Sequence, residues 1–262
     1  MKRKFFILSF GLLSVFLLSS CLDNDFVDYY VSYGVIQNVN SKNDYEILTD
    51  KGNTLVVTKS YSSQSIEEGK RVLVNYEILS DDKKNKKIYE VKVNIFYSLL
   101  AKPLIDESFI LQNEEFYRDS IGNDPFNSIS ARFGGEYINI DFEVFHSQYS
   151  NKKHMINLVY DDLRADADTI YLSLYHNAYG EIPGKEQGLV LGYGKSSFKI
   201  ADLLPEGVTS KHVRLTWTEY QSYGHDPKVY SKTGVFKLGN NDAQEEKSLT
   251  RDIGSGAYLE VN

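Results

Sequence analysis

The residue with the best-defined chemistry in this 262-residue sequence is Cys21, the only cysteine in the chain. The twenty residues before it have the three parts of an export signal: basic residues at 2–4, an apolar run over Phe5–Leu18, and small residues at 19–20. At ~1.5 Å per residue the run reaches roughly 21 Å, which is shorter than the ~30 Å core of a bilayer. Residues 1–20 are therefore predicted to be a signal peptide and not a transmembrane helix.

The quartet Leu18-Ser19-Ser20-Cys21 resembles a bacterial lipobox. The resemblance implies a diacylglyceryl group on the Cys21 sulfur, cleavage before Cys21, and acylation of the new amino terminus. Two or more acyl chains anchor a protein stably, whereas one is marginal. The alternative is an ordinary cleaved signal whose cysteine lies there by chance. A single cysteine also excludes an intramolecular disulfide, so stability must come from a hydrophobic core.

The histidines show no metal-binding pattern. None of them has the His-x-x-x-His spacing, and a structural zinc site without further cysteines is not expected. Three or more histidines could still converge in space, but we expect them to lie at the surface or in ordinary hydrogen bonds. The five are His146, His154, His176, His212 and His225.

Two groups of carboxylates could do chemistry. The first group lacks the Gly and the final Glu of a calcium loop, which favours a polar turn over an ion site. The second group could form a glycosidase pair, but its members alternate outward as a solvated strand face would. The first group is Asp161, Asp162, Asp166 and Asp168, and the second is Glu136, Asp141 and Glu143.

Two glycine-containing stretches do not match nucleotide or nucleophile motifs. Residues 192–196, Gly-Tyr-Gly-Lys-Ser, lack the spacing of a phosphate-binding loop, and a hairpin turn is predicted there. Residues 254–256, Gly-Ser-Gly, are not a nucleophile elbow, since no helix is expected after them. No cofactor is predicted, and the chain is not expected to be an enzyme.

The charge of the chain argues against nucleic acid as a partner. The sequence has 29 basic and 36 acidic residues, for a net charge of −7, and loss of residues 1–20 with their three basic side chains leaves −10. Nucleic-acid binding depends on basic patches that neutralise phosphates. The same charge gives no attraction to anionic headgroups, so the lipid alone would hold the protein at a membrane. The remaining 242 residues suffice for one large domain or two ordinary ones.

Alternating strands predict a small barrel over residues 29–101. The chain has 20 Tyr and 14 Phe, which favours β structure. Even residues over 72–78 and odd residues over 89–97 are apolar, so each set is expected to face inward. Five short strands without a long helix fit an OB-like barrel. Its aromatic residues could form a sugar-stacking platform or could fill the core. They are Tyr29, Tyr30, Tyr33, Tyr61 and Phe96.

The rest of the chain is predicted to be a connector, a sandwich and a tail. Residues 102–128 break the alternation and read as a partly packed connector. Residues 129–238 show six or more strands with polar turns, which indicates an antiparallel β-sandwich. Residues 239–262 form a polar tail, in which 257–261 could still pair as an edge strand.

Several motifs in this order together resemble the NigD-like lipoproteins of the Bacteroidetes. The motifs lie at residues 68–81, 119–125, 134–140 and 176–180, with the lipobox before them. The resemblance implies an N-terminal OB-type barrel, a C-terminal β-sandwich and a lipid anchor. It supplies no catalytic residues. The family takes its name from a bacteriocin gene cluster, in which an immunity role has been suggested for its member.

Together these observations predict an all-β protein, in which a small OB-like barrel is followed by an antiparallel β-sandwich. The acidic tether 21–28 is similar to the signal that sends Bacteroides lipoproteins to the outer cell face. An outer-membrane lipoprotein is expected, on the cell surface or facing the periplasm. Its role is predicted to be binding of a protein, with possible bacteriocin immunity, or alternatively of a glycan or envelope polymer. The sequence does not indicate its oligomeric state.

Overall fold

The computed structural model describes residues 28–40, 44–61, 65–164, 166 and 168–239. The predicted signal peptide, Cys21 and almost all of the tether and the tail lie outside the described residues. No helix in the described ranges has the length and apolar character needed to cross a membrane.

The first domain is a closed five-stranded barrel with strand order β1-β2-β3-β5-β4. β3 and β5 run parallel, and β1 closes the barrel by antiparallel pairing with β4. Closure removes the free sheet edges that would otherwise attract other strands. The strands are β1 Tyr29–Gln37, β2 Glu46–Thr49, β3 Thr54–Ser60, β4 Arg71–Asp81 and β5 Ile88–Ser98.

The predicted inward face of β5 is correct at its start and wrong at its end. Val91 and Val93 are buried as expected, but at the far end Phe96 is the buried residue, in place of Ile95 and Tyr97. The ladder with β4 pairs Asn75 with Ile95 and Tyr76 with Val93, so Asn94 is an extra residue. A bulge of one residue reverses which side chains face inward.

The second domain is a β-sandwich of two sheets. The four-stranded sheet has the order β6-β12-β9-β8, and the five-stranded sheet has the order β14-β13-β11-β10-β7. Most neighbours are antiparallel, but three pairs, β12–β6, β10–β7 and β11–β13, are parallel. The predicted fold class is therefore confirmed, with these parallel pairs in addition. The strands are β6 Leu100–Lys102, β7 Ile105–Asp106, β8 Ser128–Gly134, β9 Tyr137–Ser147, β10 Met155–Tyr160, β11 Thr169–Asn177, β12 Leu189–Lys199, β13 Ser210–Ser222 and β14 His225–Lys237.

The segment predicted as a connector is part of the sandwich. It supplies the end of β6, all of β7, and two short helices, α1 (Glu107–Leu111) and α2 (Glu114–Ile121). Ile110 and Ile121 are buried against Val159 of β10. Burying a large aliphatic side chain contributes about 1.5–3 kcal/mol, so these apolar residues hold the helices on the outside of the five-stranded sheet.

The inner faces of the two sheets form the sandwich core. On β9, Ile138, Ile140, Phe142 and Val144 are buried, as the alternation predicted. They pack against the inward residues of β10, β11 and β13 in one continuous cluster. The outward residues of β9 lie on the side of the barrel, and their role is described below.

The predicted hairpin turn at residues 192–196 is wrong. These residues form the middle of β12, which ends at Lys199 before a 3-10 helix at Ala201–Leu203. The glycines misled the prediction because their function is packing. A Cβ on Gly194 would lie 2.2 Å from Cζ of Phe142, so only glycine leaves room for that ring in the core.

Candidate functional site

The outward face of the four-stranded sheet presents polar side chains in register on three strands. Strand pairing places Ser128, Glu143 and Tyr193 in one row and Ser130, Asp141 and Lys195 in the next. A third row holds Arg132, Asn139 and Ser197. The barrel contacts the second and third rows and leaves the first row open. This face is therefore both the domain junction and a candidate binding surface.

A buried ion pair in the barrel forms the centre of the junction. Arg71, the first residue of β4, donates from both terminal nitrogens to the two carboxylate oxygens of Asp50, each at 2.5 Å. The Arg71 side chain is 1% exposed and the Asp50 side chain 13%. A two-point pair of this kind is among the strongest hydrogen-bonded contacts, and it offsets the cost of removing both charges from water.

The sandwich completes the hydrogen bonds of this pair. Asn139 accepts from Arg71 Nη2 at 2.9 Å and donates to Asp50 at 2.9 Å. Ser197 Oγ accepts from Arg71 Nε at 3.3 Å, and the Tyr137 ring lies 4.1 Å from the guanidinium carbon. The ion pair of one domain is therefore satisfied by side chains of the other.

Two glycines allow the domains to come this close. A Cβ on Gly134 would lie 2.5 Å from Asp50 Oδ2, and Gly135, with φ of 56°, is also next to Asp50. Glycine adopts such a positive φ without strain. The turn between β8 and β9 is thus shaped to receive the Asp50 carboxylate.

The open first row and the uncovered part of the second row line a small pocket of about 180 Å³. We call it the polar pocket. Its polar side chains come from all three strands, and Tyr193 at its border is 48% exposed. Glu143 accepts from the side-chain amide of Asn127 at 2.9 Å. The polar lining residues are Ser128, Ser130, Asp141, Glu143, Tyr193 and Lys195.

Asp141 is held in place by three donors. The Tyr33 hydroxyl of the barrel and Lys195 Nζ each donate to Oδ1 at 2.8 Å, and Arg132 donates to Oδ2. Burial and the Asp141 carboxylate raise the pKa of Tyr33, so this phenol stays a neutral donor. A carboxylate with three donors is fixed as an acceptor and is poorly placed to serve as a catalytic base.

The structure brings together two of the three carboxylates that the sequence singled out. Asp141 and Glu143 line the polar pocket, whereas Glu136 lies at the β8–β9 turn and pairs with Lys199 at 3.4 Å. The lysine, serines and tyrosine of the polar pocket were not predicted as site residues. Their common register became visible only once β12 and β8 were placed beside β9.

The aromatic residues of the barrel do not form one platform. Phe96 is buried, and Tyr30 stacks on Tyr76 with ring centroids 5.7 Å apart. Tyr33 lies at the domain junction, while Tyr61 is exposed beside Lys92. The five residues therefore do not form a single sugar-stacking surface: the core-filling alternative accounts for Phe96 and Tyr30, whereas Tyr29 and Tyr61 are exposed.

Two of the five histidines meet inside the sandwich. His154 Nδ1 and His176 Nε2 are 3.0 Å apart, and His154 Nε2 lies 3.3 Å from Glu181 Oε2. All three side chains are buried. With Glu181 ionised, His154 donates from Nε2 and accepts at Nδ1 from His176. Nothing in the sequence spacing connects these residues, because they come from three separate segments.

Burial controls the protonation of this histidine pair. Burial, and then the neighbouring His154, lower the pKa of His176 to about 3. Burial also lowers the pKa of His154, although Glu181 opposes the shift. Burial raises the pKa of Glu181, but the Ser147 amide, which donates at 2.7 Å, and other hydrogen bonds bring it below its ordinary value. Both rings are therefore neutral beside a carboxylate at neutral pH.

The aspartates of the 161–168 loop serve as turn acceptors. Asp166 accepts from the backbone amides of Asp168 and Thr169 and from the Tyr171 hydroxyl. Asp162 accepts from the amide and hydroxyl of Ser108. No group of three or more His, Cys, Asp or Glu side chains in the described part of the chain is arranged to hold a metal ion.

Replacing Arg71 by Met should lower the free energy of unfolding by roughly 3–5 kcal/mol, because it leaves the Asp50 carboxylate buried without a counter-charge. The double variant Arg71→Met with Asp50→Leu should recover part of that loss. Urea denaturation of each purified variant measures both. The matched control is Lys199→Met, at an exposed ion pair, which should cost less than about 1 kcal/mol. An Arg71→Met loss no larger than that of the control would contradict the assigned role.

The histidine pair should make the protein less stable in acid. Below about pH 6.5 His176 is protonated in the unfolded chain, whereas in the folded chain it stays neutral until about pH 3. Stability should therefore fall between these values by up to ~1.4 kcal/mol per pH unit for this group. His176→Phe should reduce that slope in urea denaturation across this range, whereas His225→Phe, at an exposed residue, should not. Equal slopes for the native chain and His176→Phe would contradict the prediction.

Comparison with known domain families gives matches in both halves of the chain. The profile of the NigD-like N-terminal OB domain matches residues 33–99, and that of the NigD-like C-terminal beta sandwich domain matches residues 108–229. No protein in a search of curated proteins matches the sequence.

Solved structures from the Bacteroides group have the same fold. A protein of unknown function from Bacteroides vulgatus superposes with a TM-score of 0.58 at 20% identity, covering 79% of this chain and 90% of its own. A NigD-like immunity protein from Bacteroides caccae gives 0.57 at 18%, covering 79% and 92%. A candidate lipoprotein from Bacteroides fragilis gives 0.54 at 13%, covering 78% and 96%.

At these identities the structural likeness concerns the fold alone, and the two profiles carry the assignment. They match in the order barrel then sandwich, and they include the Arg71–Asp50 pair, Asn139 and Ser197 of the junction. This chain belongs to the NigD-like family.

Proposed function

We propose that the protein is a lipid-anchored binding protein of the bacterial envelope, not an enzyme, with its ligand site at the polar pocket. The observation that carries the proposal is the pocket itself, in which two carboxylates are held by hydrogen bonds next to an exposed tyrosine, beside the domain junction. A site that keeps its polar groups in place before the ligand arrives loses less entropy on binding.

The anchor is proposed to be the lipid on Cys21. This lipid would hold the protein in the outer membrane, with the folded domains either displayed on the cell surface or facing the periplasm. The support is the lipobox-like quartet and the acidic residues after it. The structural relative from Bacteroides fragilis is a candidate lipoprotein, which supports the proposed lipid anchor.

The chemistry of the polar pocket favours a glycan as ligand. Carboxylates, lysine and serine hydroxyls can bond sugar hydroxyls, and an exposed tyrosine ring can stack on the apolar face of a sugar. The volume of about 180 Å³ is below the ~300 Å³ of ordinary small-molecule sites. It would hold one sugar residue, with the rest of the polymer lying across the surface.

A second candidate, neutralisation of a protein toxin, rests on the name of one structural relative. That relative from Bacteroides caccae is called a NigD-like immunity protein, at 18% identity to this chain. The name describes that protein. For this chain, the name motivates a search for a protein ligand in the event that no glycan is found to bind.

Replacing Cys21 by Ser should move the protein from the membrane fraction to the soluble fraction and abolish labelling by radioactive palmitate. The reason is that serine offers no thiol for the thioether. Ser20→Ala keeps a small residue before the cysteine and should label normally. Membrane partitioning of Cys21→Ser without label would contradict the proposed anchor.

Binding of the purified chain to an array of bacterial envelope glycans should identify a ligand that depends on the polar pocket. Tyr193→Ala should weaken binding about tenfold, as expected for loss of one stacking contact. Glu143→Gln should weaken it as well, by removing a charged acceptor.

The matched control is Tyr61→Ala, which removes an exposed tyrosine of the barrel and should leave affinity unchanged. Binding that depends on Tyr61 and not on Tyr193 would contradict the assignment to the polar pocket. Absence of any bound glycan would favour the protein-ligand alternative.

A further inference from the structure

The sandwich has an open side between its two sheets. Just before β8, Phe126 bonds to β13 through its backbone, donating to Thr218 and accepting from Tyr220 at 2.9 Å each. Beyond that point β8 pairs only with β9, and its other edge has no strand partner in the part of the chain that the structure describes. A free edge presents unpaired backbone donors and acceptors, which another strand can satisfy.

An apolar cleft of about 250 Å³ lies along this side. We call it the apolar cleft. Its β8 wall is Ile129, Ala131 and Phe133, which face the core yet are only half-buried. On the opposite sheet, Trp217 is also half-buried and stacks on Tyr230 with ring centroids 6.1 Å apart. Inward-facing apolar side chains that stay partly exposed indicate that a covering element is absent.

Charge at the rim of the apolar cleft favours an acidic occupant. Lys232 of β14 lines the cleft and has no ion-pair partner within the described ranges. Arg132 lies on the outward face of β8, where its side chain is 43% exposed. An occupant strand with apolar residues on its inward face would fill the cleft, and a carboxylate on its outward face would lie beside Arg132, which also pairs with Asp141.

The sequence after the described residues contains such a segment. Residues 257–261 read Ala-Tyr-Leu-Glu-Val, with Ala257, Leu259 and Val261 at the two-residue spacing that a strand places on one face. This spacing matches that of the three apolar residues on the β8 wall. Tyr258 and Glu260 would then lie on the outward face with Arg132.

The chain is long enough to bring this segment to the apolar cleft. Gly234, which lines the cleft, is five residues before Gly239, the last described residue, or about 17 Å of strand. Residues 240–256, at ~3.3 Å each, can extend over about 56 Å. The path back to β8 is therefore within reach without strain.

We propose that residues 257–261 add as a strand to the free edge of β8 and fill the apolar cleft with Ala257, Leu259 and Val261. The backbone of β8 gains a second ladder, and Glu260 lies beside Arg132 on the outward face. The cleft is then occupied by the chain itself. This inference does not rest on the proposed function.

Trp217 is the only tryptophan in the chain, so its fluorescence reports on the apolar cleft alone. In the purified full chain, Leu259→Asp should shift the emission to the red and raise the acrylamide quenching constant about twofold, because the half-buried ring loses its cover. Leu249→Asp, in the same tail but outside the segment, should change neither. Unchanged emission and quenching in Leu259→Asp would overturn the proposal.

A second measurement does not depend on the variant chain. The chain ended after Gly239 should show the exposed emission, and a synthetic peptide of residues 255–262 should reverse it, whereas the same peptide with Leu259→Asp should not. If the native peptide does not reverse the exposed emission, the proposal is overturned. A quenching constant of the full chain that decreases as the protein concentration increases would also overturn the proposal, because the covering segment would then come from a second copy.

Discussion

The arrangement of the two domains depends on one buried ion pair. Arg71 and Asp50 both belong to the barrel, yet their remaining hydrogen-bonding groups are satisfied by Asn139 and Ser197 of the sandwich. Separating the domains would leave the pair without these partners, and half-satisfied buried charges are costly. The barrel is thereby held at a fixed place on the outer face of the four-stranded sheet. The polar pocket exists because this contact covers some rows of that face and leaves one open.

The motifs by which the sequence resembles its family map onto contacts of this kind. Arg71 comes from the first motif, and Gly134, Gly135 and Asn139 come from the third. The other two motifs meet each other: Asn177 donates to the backbone carbonyls of Asp119 and Ser120, and the Asp124 carboxylate accepts from the Ala178 amide. These residues position segments of the fold relative to one another.

Sequence alternation predicted the parts of the fold that depend on neighbours along one strand. It assigned the buried face of β9 through Ile138 and Ile140 because a half-buried strand repeats every two residues. It failed where a distant residue decides the outcome. Gly194 reads as a turn until Phe142 is placed against it, and the extra residue Asn94 reverses β5 without any change in composition. The polar pocket was missed for the same reason, since its rows join three strands that are far apart in sequence.

The two buried charged clusters solve the same problem by different means. Arginine cannot lose its proton in a protein, so the Asp50 carboxylate keeps a full counter-charge at any ordinary pH. The Glu181 carboxylate instead faces histidines whose pKa values are lowered by burial, so it is stabilised by neutral donors and by the Ser147 amide. Acid weakens the second cluster, because the unfolded chain binds a proton at His176 that the folded chain does not bind until much lower pH.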